Sequence, residues 1–582
     1  MKTIIRAIFC GVLCLVASAC DKNLSEFLDK APGVDVNENT IFSSRAQLET
    51  FITGTYRAGI HSIFSYNDAA LIPAPASRTF TINAAATDEA EAEVNFFHTE
   101  NWNDANITAN DNPVGREDYR YWIRWTAIRN CNIIIERIGD VPGLDETYKN
   151  QVIGEVKFIR ALNYSEMLKR YGGVPIIEKR QQLTDELKVP RNTVEEVVNF
   201  IVKDCDQAVT LLPATYPSTF RGRATKTAAQ MLKARTLLYA ASPLFNTATP
   251  YLSLGDNNKL ICYGNQDNSR WQKAADAAKA AIDLAPGGTF ALITDKGVDK
   301  NYKFMWEQND NAEIVLAEKA YGSRGRTQFP WYGTQAAVIA GNSWGGVSVM
   351  HNFVRKYEKK DGTPQSWNLE SGGNDLMKKY SELDPRFAQT VGYNGSFWNR
   401  DYPVLETFQG GRNAAFCWGG AWMRKLIPEV LSSTTGAVPN SIVFRLAEAY
   451  LNYAEALNEA QGPVPAAHDA VNTIRQRSGM PKLPTTLTKE QFRARVQNER
   501  AIELSFEDHR LWDIRRWMIA EEEGVMQGKL YGMRIFKLAN STTEFRYEPY
   551  VKETRTFARR MYLHPFFNNE VFKGALVQNP GW

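Results

Sequence analysis

The sequence predicts a mainly α protein built on antiparallel helix pairs, with long irregular loops and a few short strands. Two observations carry this prediction. Apolar residues recur at helical spacing over much of 118–284 and again after residue 440, and short turn signals separate the successive helices. Self-similarity between the pairs is faint, so the periodicity indicates an α-solenoid-like scaffold and does not by itself show tetratricopeptide repeats.

Five helices are predicted in the first half of the chain. Gly172-Gly173 ends the second of them, because glycine readily adopts the left-handed conformation that closes a helix. The third begins at Asn192, where Glu195 completes a predicted capping box. The five helices cover 118–138, 148–171, Asn192 to about Leu212, Thr225 to Ala241 and Trp271 to Leu284.

Helical periodicity returns in the C-terminal third. A further helix is predicted at about 466–478, and another at 488–507 that starts with a capping box of Thr488 and Gln491. Before them, an apolar stripe at helical spacing predicts one more helix, through Leu446, Tyr450, Tyr453 and Leu457.

The N-terminus has the form of a bacterial export signal. Lys2 and Arg6 form a short positive segment before the apolar run from Ala7 to Val16. Ala17-Ser18-Ala19 then supplies small residues directly before Cys20. The apolar run is too short to be a stable membrane anchor. A cysteine at the cleavage point resembles a bacterial lipobox, although Ala17 replaces the usual larger aliphatic residue. We expect removal of residues 1–19 and lipidation of Cys20; the alternative is an ordinary signal peptide with an incidental cysteine.

Charge and cysteine usage argue against several function classes. The formal net charge is +3, and removing residues 1–19 with Lys2 and Arg6 leaves +1, which gives no long-range attraction to nucleic acid. The cysteines beyond Cys20 lack C-x-x-C spacing, so neither a zinc site nor a disulfide-stapled domain is predicted. We expect buried thiols, while pairing is left open among Cys131, Cys205, Cys262 and Cys417.

Residues 300–425 differ in composition from the helical stretches on either side. Seven of the 14 tryptophans and fifteen of the 39 glycines fall in this stretch, together with many turn signals. Large flat side chains on glycine-rich loops, carried by a rigid helical frame, are typical of a ligand-binding face. The stretch is therefore the first candidate for a binding site.

No catalytic residue and no cofactor are predicted. Gly341 to Gly345 fits the G-x-S-x-G nucleophile elbow, but the glycines that follow do not start the helix that an elbow needs. Glu448, Glu455 and Glu459 resemble an acid/base set on the polar side of a helix, although nearby arginines favour structural ion pairs. A hydrolase built on the elbow is the catalytic alternative.

Three blocks in the C-terminal third resemble the SusD/RagB family. They are Phe444 to Asn458, Val471 to Gly479 and Asn498 to Trp517. The last block resembles the family's E-R-x-x-E-L-x-F-E-G-x-R-x-x-D-x-R-R-W, with Asp508 in place of the glycine. The N-terminal half agrees at Phe27-Leu28-Asp29, Ile128 to Asn132, Glu155 to Pro175, Ala234-Arg235 and Ser242 to Asn246.

The resemblance implies a non-catalytic glycan-binding lipoprotein on the outer face of the outer membrane. Such proteins capture oligosaccharides and act as the lid of a SusC-like TonB-dependent transporter, on a scaffold of four tetratricopeptide-like helix pairs. It also implies a SusD-like division of the chain into a signal at 1–19, an N-terminal region at 20–245, a helical connection at 246–299 and a C-terminal region at 300–582. The alternative function is the same lid role for a peptide or another non-sugar nutrient.

Two stretches outside the scaffold helices combine the groups that bind sugars, which are aromatic planes for C–H faces and polar groups for hydroxyls. Asp68, Asp88 and Trp102 form the first set. The second set lies in residues 300–425 and consists of Trp306, Trp331, Tyr332, Trp344 and Trp398. We expect both sets to converge on one groove. For single residues the alternative is structural, with Trp102 pinning its loop and Asp88 capping a turn.

Overall fold

The computed structural model shows a largely helical chain with a few strands, as the sequence predicts. It describes residues 38–60, 82–92, 98–111, 118, 120–182, 184–319, 347–430, 435, 440–539 and 541–582. Within this part of the chain, no helix combines the length and the apolar character that crossing a membrane requires.

The predicted scaffold helices are present, with ends that differ from the prediction by a few residues. The first half contains α1 (Glu38–Ile41), α2 (Arg45–Gly59), α3 (His98–Asn103), α4 (Tyr121–Arg137), α5 (Glu146–Tyr171), α6 (Val194–Leu211), α7 (Lys226–Ala241) and α8 (Ser269–Leu284). The second half contains α9 (Asn301–Glu307), α10 (His351–Val354), α11 (Leu376–Glu382), α12 (Pro385–Thr390), α13 (Leu446–Gln461), α14 (Pro465–Arg477), α15 (Lys489–Glu503), α16 (Arg510–Arg516) and α17 (Asn568–Val571).

The long helices form one continuous array. From α4 to α8 each helix packs against the next, and α2 packs on α4 and α5. The chain then leaves the array and returns as α13, which packs on α8 and contacts both α14 and α15. Helices from the two ends of the chain thus form a single scaffold, from which the intervening loop-rich stretch projects.

The start of α6 shows how local side chains set a helix boundary. The Thr193 hydroxyl accepts a hydrogen bond from the Glu196 N–H at 3.2 Å, and the Glu196 carboxylate accepts one from the Thr193 N–H at 2.7 Å. The predicted box of Asn192 and Glu195 is therefore wrong by one residue. Asn192 is engaged elsewhere, since its Oδ1 accepts a hydrogen bond from the Ile176 N–H at 3.0 Å.

Helix α15 begins at the predicted capping box of Thr488 and Gln491, which is confirmed. It ends at Glu503, before the predicted end. Phe506 and Asp508 follow with φ angles of 60° and 62°, in the left-handed region through which a right-handed helix cannot continue. Asp508 occupies the position where the family motif has glycine, and aspartate tolerates this conformation better than most residues.

The strands form three antiparallel sheets. They are β1 (Ala90–Ala92), β2 (Ile314–Lys319), β3 (Val347–Val349), β4 (Val391–Tyr393), β5 (Ala421–Met423), β6 (Asn440–Arg445), β7 (Gly528–Lys537) and β8 (Phe545–Arg555). One sheet has the order β1-β3-β5-β4, and β2 pairs with β6. The hairpin of β7 and β8 is longer than the short strands that the sequence predicts.

Hydrophobic cores lie beneath both parts of the fold. One core fills the array of α2 and α4–α7 and includes residues near the C-terminus, and another joins α7 and α8 to α13–α15. A separate core lies under the four-stranded sheet and includes Tyr302 and Trp306 from α9. Cys131 and Cys205 are buried free thiols, as predicted, and burial raises the pKa of the Cys131 thiol to about 12.

A buried ionic cluster joins the array to the sheet region, and its centre is Glu503 at the end of α15. The Glu503 carboxylate accepts hydrogen bonds from Arg445 at 2.7 Å and from Arg386 at 2.9 Å, and it also pairs with Arg477. These arginines hold the pKa of Glu503 far below its ordinary value, against the opposing effect of burial. The Tyr302 hydroxyl of α9 donates to the Glu503 carbonyl oxygen at 2.6 Å.

The cluster extends in both directions through residues of the family motif. Glu507 accepts a hydrogen bond from Arg445 at 2.7 Å and pairs with Lys425, while Glu499 pairs with Arg386 and Arg475. A neighbouring set ties α13 to α16, through contacts among Glu455, Arg500, Asp513 and Arg516. The structure therefore places most charged residues of the motif in buried ion pairs.

Glu503→Gln tests the role of this cluster. The substitution keeps the side-chain shape but removes the one negative charge that three buried arginines share, and removing a partner from a buried pair typically costs about 3–5 kcal/mol. We expect the free energy of unfolding, measured by denaturant titration, to fall by about that amount. Glu370→Gln, at an exposed loop carboxylate, is the matched control. A variant within about 1 kcal/mol of the parent would contradict a central role for Glu503.

Candidate ligand-binding cavity

A cavity of about 580 Å³ opens between α9, α11, α12 and the segment after β5. Its size lies within the range of small-ligand sites. Helix α9 supplies one wall because it has two faces: Tyr302, Met305 and Trp306 point into the core, whereas Phe304 and Glu307 line the cavity. We call this space the aromatic cavity.

The position of the aromatic cavity is fixed by hydrogen bonds between its two helices. The Lys303 N–H donates to the Gln389 Oε1 at 2.8 Å, which couples α9 to α12. Pro385 occupies the first turn of α12, and Asp384 caps that helix by accepting from the Arg386 N–H at 2.9 Å. Since Arg386 also binds Glu503, this wall is attached directly to the buried ionic cluster.

One side of the cavity is a cluster of three aromatic rings, which we call the ring stack. Phe387 stacks on Tyr380 and on Tyr393, with ring centroids 5.2 Å and 5.1 Å away and interplanar angles of 27° and 29°, and the Tyr380 and Tyr393 centroids lie 4.9 Å apart. Tyr380 and Phe387 are largely covered, whereas Tyr393 at the end of β4 is partly exposed. Phe304 adds a partly exposed ring on the α9 side. The mutual contacts brace the Tyr393 ring, which offers an aromatic surface at low conformational cost.

Another part of the cavity lining is ionic. Glu429 pairs with both Lys303 and Arg424, and its N–H donates to the Glu307 carboxylate at 3.1 Å. Burial raises the pKa of Glu307 to about 7, despite the nearby cations. Burial and the Arg424 charge lower the pKa of Lys303 to about 8. The lining thus holds both hydrogen-bond donors and acceptors beside the aromatic rings.

This combination of walls suits a ligand with both apolar faces and hydroxyl groups. The partly exposed Tyr393 and Phe304 rings offer stacking area, and the paired charges offer charge-assisted hydrogen bonds that a neutral ligand can share. Its lining holds four basic residues and four acidic residues, so the cavity presents no strong excess of either sign; they are Lys300, Lys303, Lys360 and Arg424, and Asp299, Glu307, Asp384 and Glu429.

Three tryptophans that the sequence predicts as glycan contacts lie inside the hydrophobic cores. Trp306 is 1% exposed, Trp102 is 2% exposed and Trp398 is 3% exposed. The Trp102 ring lies 4.7 Å from the His564 ring and beneath the Arg515 guanidinium group. In this conformation their rings are covered by protein, and their contacts are those of residues that stabilise the fold. Their glycan-binding role stays a prediction.

Asp88 is also buried, and it forms an ion pair. Its carboxylate accepts two hydrogen bonds from Arg510, at 2.8 Å and 2.7 Å, and lies 3.1 Å from Lys356. These cations hold the pKa of Asp88 well below its ordinary value, although burial acts in the opposite direction. The carboxylate thus joins α16 to the segment before β1, and its predicted role as a glycan contact stays a prediction.

The remaining predicted residues lie outside the described part of the chain. They are Cys20, Asp68, Trp331, Tyr332 and Trp344, and the Gly341 to Gly345 elbow lies there too. The two stretches that were predicted to converge do meet at one place, in the four-stranded sheet. There β1 pairs with β3, from Ala90↔Val349 to Ala92↔Val347. Whether a common groove forms there stays a prediction.

The residues of the aromatic cavity were not predicted individually, although most of them fall within 300–425. Tryptophans dominate the predicted set, whereas the ring stack consists of Tyr380, Phe387 and Tyr393. A usable signal was the Asp384-Pro385 helix start with aromatic residues on both sides of it. Their meeting on one wall depends on how α11, α12 and β4 pack, which the sequence pattern does not show.

The three glutamates of α13 make ion pairs, as the sequence analysis favoured. Glu448 binds Arg235 with contacts of 2.6 Å, Glu455 binds Arg516 and Glu459 binds Arg493. Their placement on a polar helix face was wrong, because all three are buried. Their carboxylates are occupied in holding helices together.

Three further carboxylates approach one another near β1. Oxygen atoms of Glu91, Glu100 and Glu553 lie within 4.8 Å of one another. Arg555 pairs with both Glu91 and Glu553, so a protein cation already balances part of this charge. Burial raises the pKa of Glu100 to about 7, which further lowers the negative charge of the group.

The fold and the cavity together define a class of protein, a helical-array scaffold that carries an open binding cavity in its loop-rich part. Residues 312–582 match the model of the SusD family, and residues 26–238 match a model described as starch-binding and associating with the outer membrane. The chain therefore belongs to the SusD/RagB family.

Individual relatives are similar along most of the chain. The SusD-like protein P25 of Formosa agariphila is 22% identical over 524 residues, which cover 85% of this chain and 87% of that protein. The crystal structure of a SusD-like protein from Bacteroides fragilis superposes with a TM-score of 0.76 at 27% identity, covering 95% of this chain and 100% of the other. A laminarin-binding SusD-like protein shares the fold, with a TM-score of 0.56 at 18% identity over 93% of this chain and 100% of its own.

Glu89, beside Asp88, makes the stability of the folded protein depend on pH in a testable way. Burial, together with the Asp88 charge, raises the pKa of Glu89 from 4.5 to about 8. Between those values the folded protein holds a proton that the unfolded chain has lost. The Glu89 contribution to stability is therefore full below pH 4.5 and is lost as the pH rises toward 8, by up to about 1.4 kcal/mol per pH unit.

We expect Glu89→Gln, which is neutral at every pH, to flatten the decline of unfolding free energy between pH 5 and pH 8. Denaturant titrations of parent and variant at each pH unit measure the difference, and Glu370→Gln controls for the loss of an exposed carboxylate. Parallel stability curves for Glu89→Gln and the parent would show that Glu89 does not titrate in this range.

Proposed function

We propose that this protein captures oligosaccharides at the cell surface and that the aromatic cavity is a glycan-binding site. The observation that supports this proposal most directly is the partly exposed Tyr393 ring, braced by Tyr380 and Phe387, in a cavity that paired charges also line. Membership of a family whose relatives include a laminarin-binding protein supports the same ligand class.

The same proposal includes the cellular role. The export signal and Cys20 support a lipid anchor, and the family model's association with the outer membrane supports that location. We further propose that the protein is the lid of a SusC-like TonB-dependent transporter, with the helical array as its docking scaffold and no catalytic function of its own.

The alternative is the same lid role for a peptide or another non-sugar nutrient. The charges in the aromatic cavity bear on this choice. Lys303 and Arg424 are already paired with Glu429, so a peptide carboxylate would have to compete for them. A neutral sugar would instead add its hydroxyl groups to the existing pairs. The cavity therefore favours neutral glycans.

Tyr393→Ala tests the ligand site. Tyr393 is the partly exposed member of the ring stack, and losing a stacking platform should cost about 1–3 kcal/mol, or roughly a ten- to hundredfold loss of affinity. The measurement is calorimetric titration with the glycan identified by a polysaccharide binding screen. Tyr402→Ala is the matched control, because Tyr402 is also partly exposed but lies outside the cavity lining. A folded Tyr393→Ala variant with parental affinity would place the site elsewhere.

A tagged protein tests the anchor and the partnership together. We expect the parent to fractionate with the outer membrane and to co-purify with a TonB-dependent barrel in mild detergent, because lipidation and docking both hold it there. Cys20→Ala should shift the protein to the soluble fraction, since it removes the acylated thiol. A Cys20→Ala variant that resists a carbonate wash would refute the anchor, and a parent that repeatedly purifies alone would refute the lid role.

A further inference from the structure

A second cavity has its own lining, which includes Asn309, the residue directly after Gln308 of the aromatic cavity. It has a volume of about 720 Å³ and lies between the loop that joins α6 to α7 and the segments at 288–290 and 309–317. We call it the loop cleft. The start of β2 forms part of its wall, and no residue of its lining also lines the aromatic cavity.

Two aromatic rings contribute to the loop cleft. The Tyr216 hydroxyl donates to the Glu155 carboxylate at 2.9 Å, which fixes the ring at the edge of the array. Phe290 lies directly on Gly288, where an added Cβ would be 2.5 Å from the Phe290 Cε2 atom. The absence of a side chain at Gly288 is what allows the Phe290 ring to lie against the backbone.

An ion pair crosses the loop cleft. Arg221 Nη1 lies 2.7 Å from Asp310 Oδ2, and the two side chains are 62% and 53% exposed. Such an exposed pair is weak, so ligand hydroxyl groups can insert between its partners at little cost. Each partner remains available to a neutral ligand, the guanidinium group as a donor and the carboxylate as an acceptor.

The backbone at the rim is strained. Thr289 has a φ of 61° in the left-handed region, although a β-branched residue rarely adopts this conformation. Strain of this kind is concentrated at ligand-binding sites in proteins. The Thr289 and Thr215 side chains are exposed at the cleft and add hydroxyl groups to its lining.

We propose that the loop cleft is a second oligosaccharide-binding site, which takes neutral sugar units independently of the aromatic cavity. The ligand class rests on the proposed glycan-binding function. Neutral sugars fit because the cleft's charges are compensated: Arg221 pairs with Asp310, and Arg223 pairs with Glu49 and Glu155. An acidic ligand would have to compete with these carboxylates for both arginines, Arg221 and Arg223.

Hydrogen–deuterium exchange can locate binding at each site separately. The full-length mature protein is mixed with maltoheptaose, laminariheptaose, mannohexaose and xylohexaose in turn, and exchange is followed in peptides from 213–225 and 309–317 and from 376–393. We expect at least one oligosaccharide to slow exchange at 213–225. The double variant Arg221→Ala, Asp310→Ala should need at least tenfold more of that oligosaccharide for the same protection.

Two controls separate the possible explanations. Lys279→Ala, Asp283→Ala removes another exposed ion pair, on α8, and should leave protection of the loop cleft unchanged. Tyr393→Ala should also leave it unchanged, because the two cavities are distinct. Thermal melts verify that each variant is folded.

The outcomes distinguish this proposal from the proposed function. Absence of protection at 213–225 with every oligosaccharide overturns the second site, and so does protection that survives the Arg221 and Asp310 substitutions or disappears in Tyr393→Ala. Protection at 213–225 without protection at 376–393 supports the loop cleft and counts against the aromatic cavity. Protection at 376–393 alone does the reverse.

Discussion

The Glu503 carboxylate joins segments that are far apart in the sequence, and the arrangement of the rest of the molecule depends on this contact. It pairs with Arg386 of α12, Arg445 at the start of α13 and Arg477 at the end of α14. Placing these charges in the interior is costly, and only close mutual pairing offsets the cost. A shift of any one segment would break at least one buried ion pair, so these pairs favour one relative position of the segments.

The aromatic cavity takes its geometry from this ionic cluster. Arg386 attaches α12 to the Glu503 carboxylate, and the Tyr302 hydroxyl attaches α9 to the Glu503 carbonyl oxygen. The cavity lies between these two helices, so the aromatic and charged residues that line it are held in fixed positions. Binding groups held on braced helices lose little conformational freedom when a ligand enters.

The charged residues of the family motif stabilise the fold, and other residues line the cavities. The motif therefore identifies the family but does not reveal the ligand. Glu499, Glu503 and Glu507 of the motif are engaged in buried ion pairs, and Asp508 supplies the left-handed turn that ends this run. None of them lines the aromatic cavity or the loop cleft. The residues that line the two proposed binding cavities lie in segments outside the motif.

The sequence by itself determined the helical class, the order and approximate bounds of the scaffold helices, and the family. These follow from local signals such as apolar periodicity and capping boxes, and from one dense motif. Only the tertiary structure decided which aromatic side chains face an opening. Trp306 and Phe304 lie on one short helix and look equally suitable in the sequence, yet Trp306 packs into the core and Phe304 lines the cavity. That difference depends on which face of α9 meets the sheet, a long-range contact that no local pattern records.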